Sequence, residues 1–165
     1  MKSPFLILGL ALFLGGCVID EPWYDNYYES QYRPVLMERS VLENSVKLLD
    51  PQRHSNYGKI YRKDSLLFIN ELYEGVHVYN NSDPRNPVNL GFISIPGNID
   101  IAIKNQYIYA DNAVDLIVIE YEANKLKVVD RNKDVFPELE SPDGGYSPEL
   151  AERPENTVIV KWEKK

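Results

Sequence analysis

The chain has 165 residues, and 25 acidic against 18 basic side chains give it a net charge of −7 at pH 7. This length suits one modest domain with a hydrophobic core. The acidic balance argues against nucleic-acid binding, because phosphate recognition needs clustered Lys and Arg side chains. Cys17 is the only cysteine, so neither an intramolecular disulfide nor a cysteine-based metal or redox site is expected.

Residues 1–16 have the composition of a secretory signal peptide. Lys2 supplies a positive charge, and the apolar run from Phe5 to Leu14 is shorter than the roughly 20 residues that span a bilayer. Leu14-Gly15-Gly16-Cys17 resembles the lipobox of bacterial lipoproteins. The resemblance implies cleavage before Cys17, a diacylglycerol on its thiol and a fatty acid such as palmitate on the new N-terminus. The alternative is an ordinary buried cysteine after a signal anchor.

Residues 17–45 are predicted to form a lipidated, tyrosine-rich tether that ends in a short helix. Tyrosines at 24, 27, 28 and 32 lie among polar residues without a helical or strand period. This pattern favours a solvated or loosely docked arm over a stretch that binds sugar rings or a partner. Ser40-Val41-Leu42-Glu43 has the spacing of a capping box, which predicts a helical turn or two between Glu38 and Val46.

From Gly58 onward, short β-type runs alternate with turn residues. The turns at 81–87 and 96–98 are rich in Pro, Asn, Asp and Gly. Residues 67–70 and 76–79 recur about 40 positions later, a spacing typical of a β-propeller blade. An unrelated β-sandwich is the alternative. The predicted strands are 59–61, 66–69, 76–79, 88–95, 99–103, 106–109, 116–119, 127–129 and 157–162.

Two motifs carry a family resemblance. Gly75-Val76-His77-Val78-Tyr79, followed by Ser82-Asp83-Pro84-Arg85-Asn86-Pro87, resembles the LVIVD-repeat family of bacterial lipoproteins. Residues 97–104, 107–111 and 115–119 fit a second copy, although Tyr121-Glu122-Ala123-Asn124-Lys125 replaces its Asp-Pro-x-x-Pro turn. Members of the family usually carry enough repeats to close a ring, so the resemblance implies a short, two-repeat variant.

The expected fold is therefore all-β, with two four-stranded antiparallel blade-like sheets that form a partial β-propeller, and a short N-terminal helical turn. The two repeats are expected to occupy residues 57–136. A Pro- and Gly-rich linker over 137–155 and a C-terminal strand within 156–165 follow them. Bare sheet edges attract other strands, and the last strand is expected to cover part of the apolar surface.

The two histidines, His54 and His77, are the first candidates for chemistry. His77 lies in a predicted strand, and Ile117 takes its place in the second repeat, which predicts a packing role. His54 lies in the polar segment 52–56 and is predicted to face solvent. Acidic residues at strand ends offer no pair that the sequence singles out. No catalytic residue and no cofactor is predicted.

A second candidate is a calcium-type spacing near the end of the second repeat. Asp130, Asn132 and Asp134 have the one-three-five pattern of a calcium loop. Val135 then stands where the turn needs glycine, and Ser141 stands where the bidentate glutamate belongs. The pattern therefore favours a polar turn, and no metal site is predicted, with these three residues as weak candidates.

The predicted function is that of a non-enzymatic binding or interaction module, held at the cell envelope by its lipid. One alternative is a structural subunit that completes a propeller with another copy or a larger partner, and another is an envelope hydrolase with an unidentified site. A protein or glycan partner and a homo-oligomer are both compatible with this prediction. Val18 and Asp20-Glu21 after the cysteine resemble the sorting signals of outer-membrane lipoproteins, with the periplasmic and the surface face both open.

Overall fold

The computed structural model describes residues 28–165. The predicted signal peptide, Cys17, Val18, Asp20-Glu21 and the first part of the tether lie outside these residues. About half of the described residues lie in β-strands, and helices are short. Its elements are β1 (Tyr32–Glu38), α1 (Arg39–Glu43), β2 (Lys47–Leu49), β3 (Tyr57–Lys63), β4 (Leu66–Glu71), β5 (Gly75–Asn80), β6 (Val88–Ser94), β7 (Ile101–Lys104), β8 (Tyr107–Asn112), β9 (Asp115–Glu122), β10 (Lys125–Asn132), a 3-10 helix (Pro148–Glu152) and β11 (Thr157–Lys164).

The strands form three open antiparallel sheets, which confirms the all-β antiparallel class. β3 to β6 follow one another as a meander, and β2 pairs with β6 to give a five-stranded sheet. β7 to β10 form a four-stranded meander, and β1 pairs with β11 in a sheet of two. The prediction of two four-stranded sheets is wrong for the first sheet, because Leu48 of β2 pairs with Ile93 and adds a fifth strand.

The two larger sheets share one hydrophobic core. Strand residues that alternate toward this core are buried, whereas their neighbours are more exposed. Removing this apolar surface from water is the main force that holds the sheets together. The buried members of the core are Phe68, Val76, Val78, Ile93, Ile95, Ile101, Ile108, Ala110, Ile117 and Ile119.

A second core lies where α1 and the two-stranded sheet meet the β8–β9 turn. Leu42 of α1 is fully buried there, beside Val114 of the turn and Val158 and Val160 of β11. The predicted C-terminal strand is thus confirmed, and it buries apolar side chains as expected. The predicted capping box is wrong, because Glu38 occupies the N-cap without a side-chain cap and Ser40 lies inside the helix.

The prediction of a loose arm is wrong from residue 28 onward. Tyr32–Glu38 is a strand whose residues pair with β11. Ser30 is buried, and its backbone N–H donates to the carbonyl of Tyr146 over 2.7 Å. Its hydroxyl donates to Asp143 over 2.8 Å. These long-range contacts hold the segment against the 141–147 loop, so it belongs to the folded body.

Candidate functional site

Both histidines of the chain meet beside a buried glutamate. His77 lies in β5, Glu71 ends β4, and His54 comes from the loop between β2 and β3. One potential ligand atom from each residue lies within 4.8 Å of the other two. His77 is 0% exposed and Glu71 is 5% exposed. We call this group the His–Glu–His cluster.

The β4–β5 hairpin positions the two buried members of the cluster. Glu71 pairs with Gly75 and Ile69 pairs with His77, so both side chains are set by a continuous antiparallel ladder. Gly75 has φ +141°, and a Cβ there would lie 2.0 Å from the carbonyl oxygen of Ile93. Glycine is therefore needed where the hairpin approaches β6.

The Glu71 carboxylate receives three hydrogen bonds. His77 Nε2 donates to its Oε2 in a short contact. The backbone N–H of Ser55 donates to Oε1 over 2.9 Å, and the Ser55 hydroxyl donates to the same oxygen. Burial raises the pKa of Glu71, but these hydrogen bonds outweigh burial and the net shift is downward. Glu71 is therefore an anion at neutral pH, and His77 Nδ1 is buried without a hydrogen-bond partner.

His54 closes the cluster on its more open side. Its ring centroid lies 3.7 Å from that of His77, and its Nε2 lies 2.6 Å from the Tyr79 hydroxyl. Burial, and then the neighbouring His77, lower the pKa of His54. The prediction that His54 faces solvent is wrong, since its ring is partly buried between His77 and Tyr57. His77 is fully buried, as expected of a packing residue, but it also makes a hydrogen bond to Glu71.

Two imidazoles and a carboxylate form a donor set that divalent transition metals use. The second sheet does not repeat this set, because Asn112 and Ile117 take the places of Glu71 and His77 about 40 positions on. Sequence reasoning missed the cluster because His54 is brought in by an irregular loop. The only available signal was that a glutamate, Glu71, lies between the chain's two histidines in the sequence.

The second sheet carries a different buried polar group. Asp115 is 0% exposed and accepts hydrogen bonds from Arg39 Nη2 over 2.7 Å and from Arg131 Nη1 over 2.6 Å. The backbone N–H of Asp134 also donates to it over 3.1 Å. Arg131 further donates to Asn112 over 2.9 Å. This network ties α1 to β9 and β10, and its role is structural.

The structure disperses the calcium-type residues. Asp130 and Asn132 lie in the exposed strand β10, whereas Asp134 follows it and pairs with Arg39 over 3.1 Å. Val128–Asp130 is also the site of a register shift against β9. Within residues 28–165, three His, Cys, Asp or Glu side chains converge as a donor set only in the His–Glu–His cluster.

An apolar groove of about 600 Å³ lies beside the second sheet. It is bounded by one face of β7 and β8 and by the 136–140 segment, which belongs to the predicted linker. The linker is packed rather than free, because Trp162 Nε1 donates to the carbonyl of Leu139 over 2.9 Å. The apolar lining comes mainly from Ile99, Ala102, Tyr109, Leu116, Phe136 and Leu139.

No family model, no curated protein and no solved structure matches the chain. Between residues 28 and 165, no helix has the length and apolar character needed to cross a membrane. The lipobox and the LVIVD-repeat resemblance therefore remain predictions from the sequence.

Proposed function

We propose that the protein is a lipid-anchored lipoprotein of the cell envelope that works by binding rather than by catalysis. The observation that carries this proposal is the Leu14-Gly15-Gly16-Cys17 motif directly after a short apolar run. Cys17 is the lipidation site, and the folded β-body is held at the membrane by its acyl chains. Two or more chains are needed for stable anchoring, because one chain binds only marginally.

The proposal includes a partial propeller built from two LVIVD-type blades. Two features support it: each large sheet contains a meander in chain order, and β4–β5 and β8–β9 hold corresponding places. A rigid pair of sheets is a suitable platform for a protein or glycan partner, by analogy of fold. Binding is favoured over hydrolysis because His77 and Glu71 are buried, so a substrate molecule cannot reach them. A small ion is the ligand that fits between these side chains.

Metabolic labelling with an alkyne-bearing fatty acid tests the anchor. We expect the wild-type protein to take up label and Cys17→Ser to take up none, because no other residue offers a thiol. Val18→Ala is the matched control and should stay labelled. Label retained in Cys17→Ser would contradict the lipoprotein proposal.

We further propose outer-membrane placement, from the absence of aspartate at position 18 and from Asp20-Glu21. Fractionation and protease treatment of intact cells test the compartment and the face. Recovery with the inner membrane would refute the placement. Cleavage of the protein on intact cells would assign it to the surface face. Protection of the protein until the cells are lysed would assign it to the periplasmic face.

The alternative function is a structural subunit that pairs with another copy or a larger partner. One observation favours it: β3 is an edge strand, and its Tyr57 and Ile60 are 69% and 65% exposed. Sedimentation of the purified protein tests this alternative. A dimer that becomes monomeric in Ile60→Lys would support it, and a wild-type monomer would refute self-association.

A further inference from the structure

We propose that His54, Glu71 and His77 bind one divalent transition-metal ion of the zinc class. The ion would be held by one ring nitrogen of each histidine and one carboxylate oxygen. This inference gives the proposed binding function a ligand, but its geometric basis does not depend on the lipid anchor.

The spacing of the donors suits such an ion. Zinc bonds to histidine nitrogen and carboxylate oxygen are about 2.0–2.2 Å long, so neighbouring ligand atoms lie roughly 3.4 Å apart. The three donor atoms of the His–Glu–His cluster already lie within 4.8 Å of one another. Binding therefore requires His77 and Glu71, which are now in direct hydrogen-bond contact, to move slightly apart so that the ion can enter between them.

The three donors differ in how the backbone holds them. Glu71 and His77 are fixed by the β4–β5 ladder, whereas His54 lies in the 50–56 segment, which has no strand pairing. His54 is also the most exposed of the three donors, so its side is the route by which an ion would reach the buried pair.

The protonation state also favours a cation. Glu71 is ionised, and the ring of His77 already donates through Nε2 to it. When that ring is neutral, its unpartnered Nδ1 carries a lone pair with no protein donor to satisfy it. To bind the same ion as the Glu71 oxygen, His77 must use Nε2, and the proton that this nitrogen now donates to Glu71 is released on binding.

Outer hydrogen bonds of the expected kind are present. Ser55 holds one oxygen of Glu71 through its backbone N–H and its hydroxyl, which orients the carboxylate toward the histidines. The Tyr79 hydroxyl contacts His54 and itself accepts a hydrogen bond from Asn89 over 3.2 Å. Calcium and magnesium prefer all-oxygen sites, so the two nitrogens select against them.

Zinc binding to the full-length protein, purified in detergent without a histidine tag, tests the proposal. After removal of bound metal with a chelator, calorimetry at pH 7.5 should show one Zn²⁺ per chain. Millimolar Ca²⁺ or Mg²⁺ should not compete. Binding should weaken at pH 5.5, because protons compete for the imidazole lone pairs.

Variants distinguish this site from adventitious binding. His54→Gln, in a loop and therefore tolerated by the fold, should lower the zinc affinity by more than tenfold, and Ser55→Ala should lower it by about 10- to 100-fold. Asp130→Asn is the matched control, an exposed acid outside the cluster, and should leave the affinity unchanged. Unchanged zinc affinity in both His54→Gln and Glu71→Gln, or no binding by the wild type, would overturn the proposal.

A spectroscopic readout identifies the donors directly. Because the chain has only two histidines, Cu²⁺ at this site should show nitrogen coupling from two imidazoles in its electron paramagnetic resonance spectrum. His54→Gln should reduce this to one. Coupling from two nitrogens that survives His54→Gln would refute the assignment. None of these outcomes depends on fatty-acid labelling, so failure of the anchor and failure of the metal site are separable.

Discussion

Removing the buried Asp115 carboxylate should be the most damaging single polar substitution in the second sheet. Asp115 is fully buried and lies between two guanidinium groups, whose side chains are only 19% (Arg39) and 13% (Arg131) exposed. In Asp115→Ala both cations lose their main partner and face one another in a poorly hydrated space. Removing one member of a buried ion pair typically costs about 3–5 kcal/mol.

Three contacts reduce this loss. Arg39 keeps Glu43 at 3.2 Å and Asp134 at 3.1 Å, and Arg131 keeps Asn112 at 2.9 Å. We therefore expect a loss near the lower end, about 3 kcal/mol. This is a large part of the roughly 5–15 kcal/mol by which domains are usually stable.

Urea unfolding followed by tryptophan fluorescence measures the effect. Trp162 of β11 is 7% exposed and donates a hydrogen bond to the carbonyl of Leu139, so its emission should report the loss of native structure. The midpoint should fall while the slope stays constant. Asp130→Asn is the control and should change stability by less than about 0.5 kcal/mol, as exposed substitutions do. A loss below about 1 kcal/mol in Asp115→Ala would refute the argument that this network secures α1 to the sheet.

Two further predictions concern the C-terminal strand and the His–Glu–His cluster. Deleting residues 156–165 removes Val158, Val160 and Trp162 from the core, and each lost side chain should lower the free energy of unfolding by about 1.5–3 kcal/mol. The shortened protein should therefore bind a hydrophobic dye and sediment as aggregates. A shortened protein that stays monomeric, equally stable and dye-silent would contradict this. The pKa of His54 is lowered from 6.5 in the folded state, so at mildly acidic pH the unfolded chain binds more protons than the folded chain does. The free energy of unfolding should therefore decrease from pH 7 to pH 5. His54→Gln should flatten this decrease, and an identical slope in the variant would show that His54 does not titrate as argued.

The strand pattern was readable because turn residues separate the β-type runs. The Pro96-Gly97-Asn98 turn is confirmed, with Gly97 at φ +79°, a conformation that glycine adopts without strain. The 81–87 segment likewise joins β5 to β6 as predicted. All nine predicted strands overlap strands of the structure. Local chemistry of this kind is visible in sequence because turns depend on the residues that form them.

The missed elements depend on distant partners. β1 contains Pro34, which usually argues against a strand, yet the segment is stable because it lies at an edge and pairs with β11. β2 has only three residues, too few for a periodic signal. The His–Glu–His cluster joins a residue of a loop to two residues of a hairpin, and residue spacing in the sequence does not predict where an irregular loop lies in the fold. Tertiary contacts, rather than propensity, determine all three.

The pairing of β1 with β11 has a consequence for folding as the chain is synthesised. Arg33 and Glu163, joined across this sheet, are 130 positions apart, so an emerging chain presents β1 long before its partner appears. Until the last strand is released, β1 exposes unpaired backbone groups, and Leu42 and Val114 lack their full cover. Closing so long a loop is slow. We therefore expect the joining of β1 and β11 to come late in folding, and a chaperone that shields strand edges would act in the interval before it.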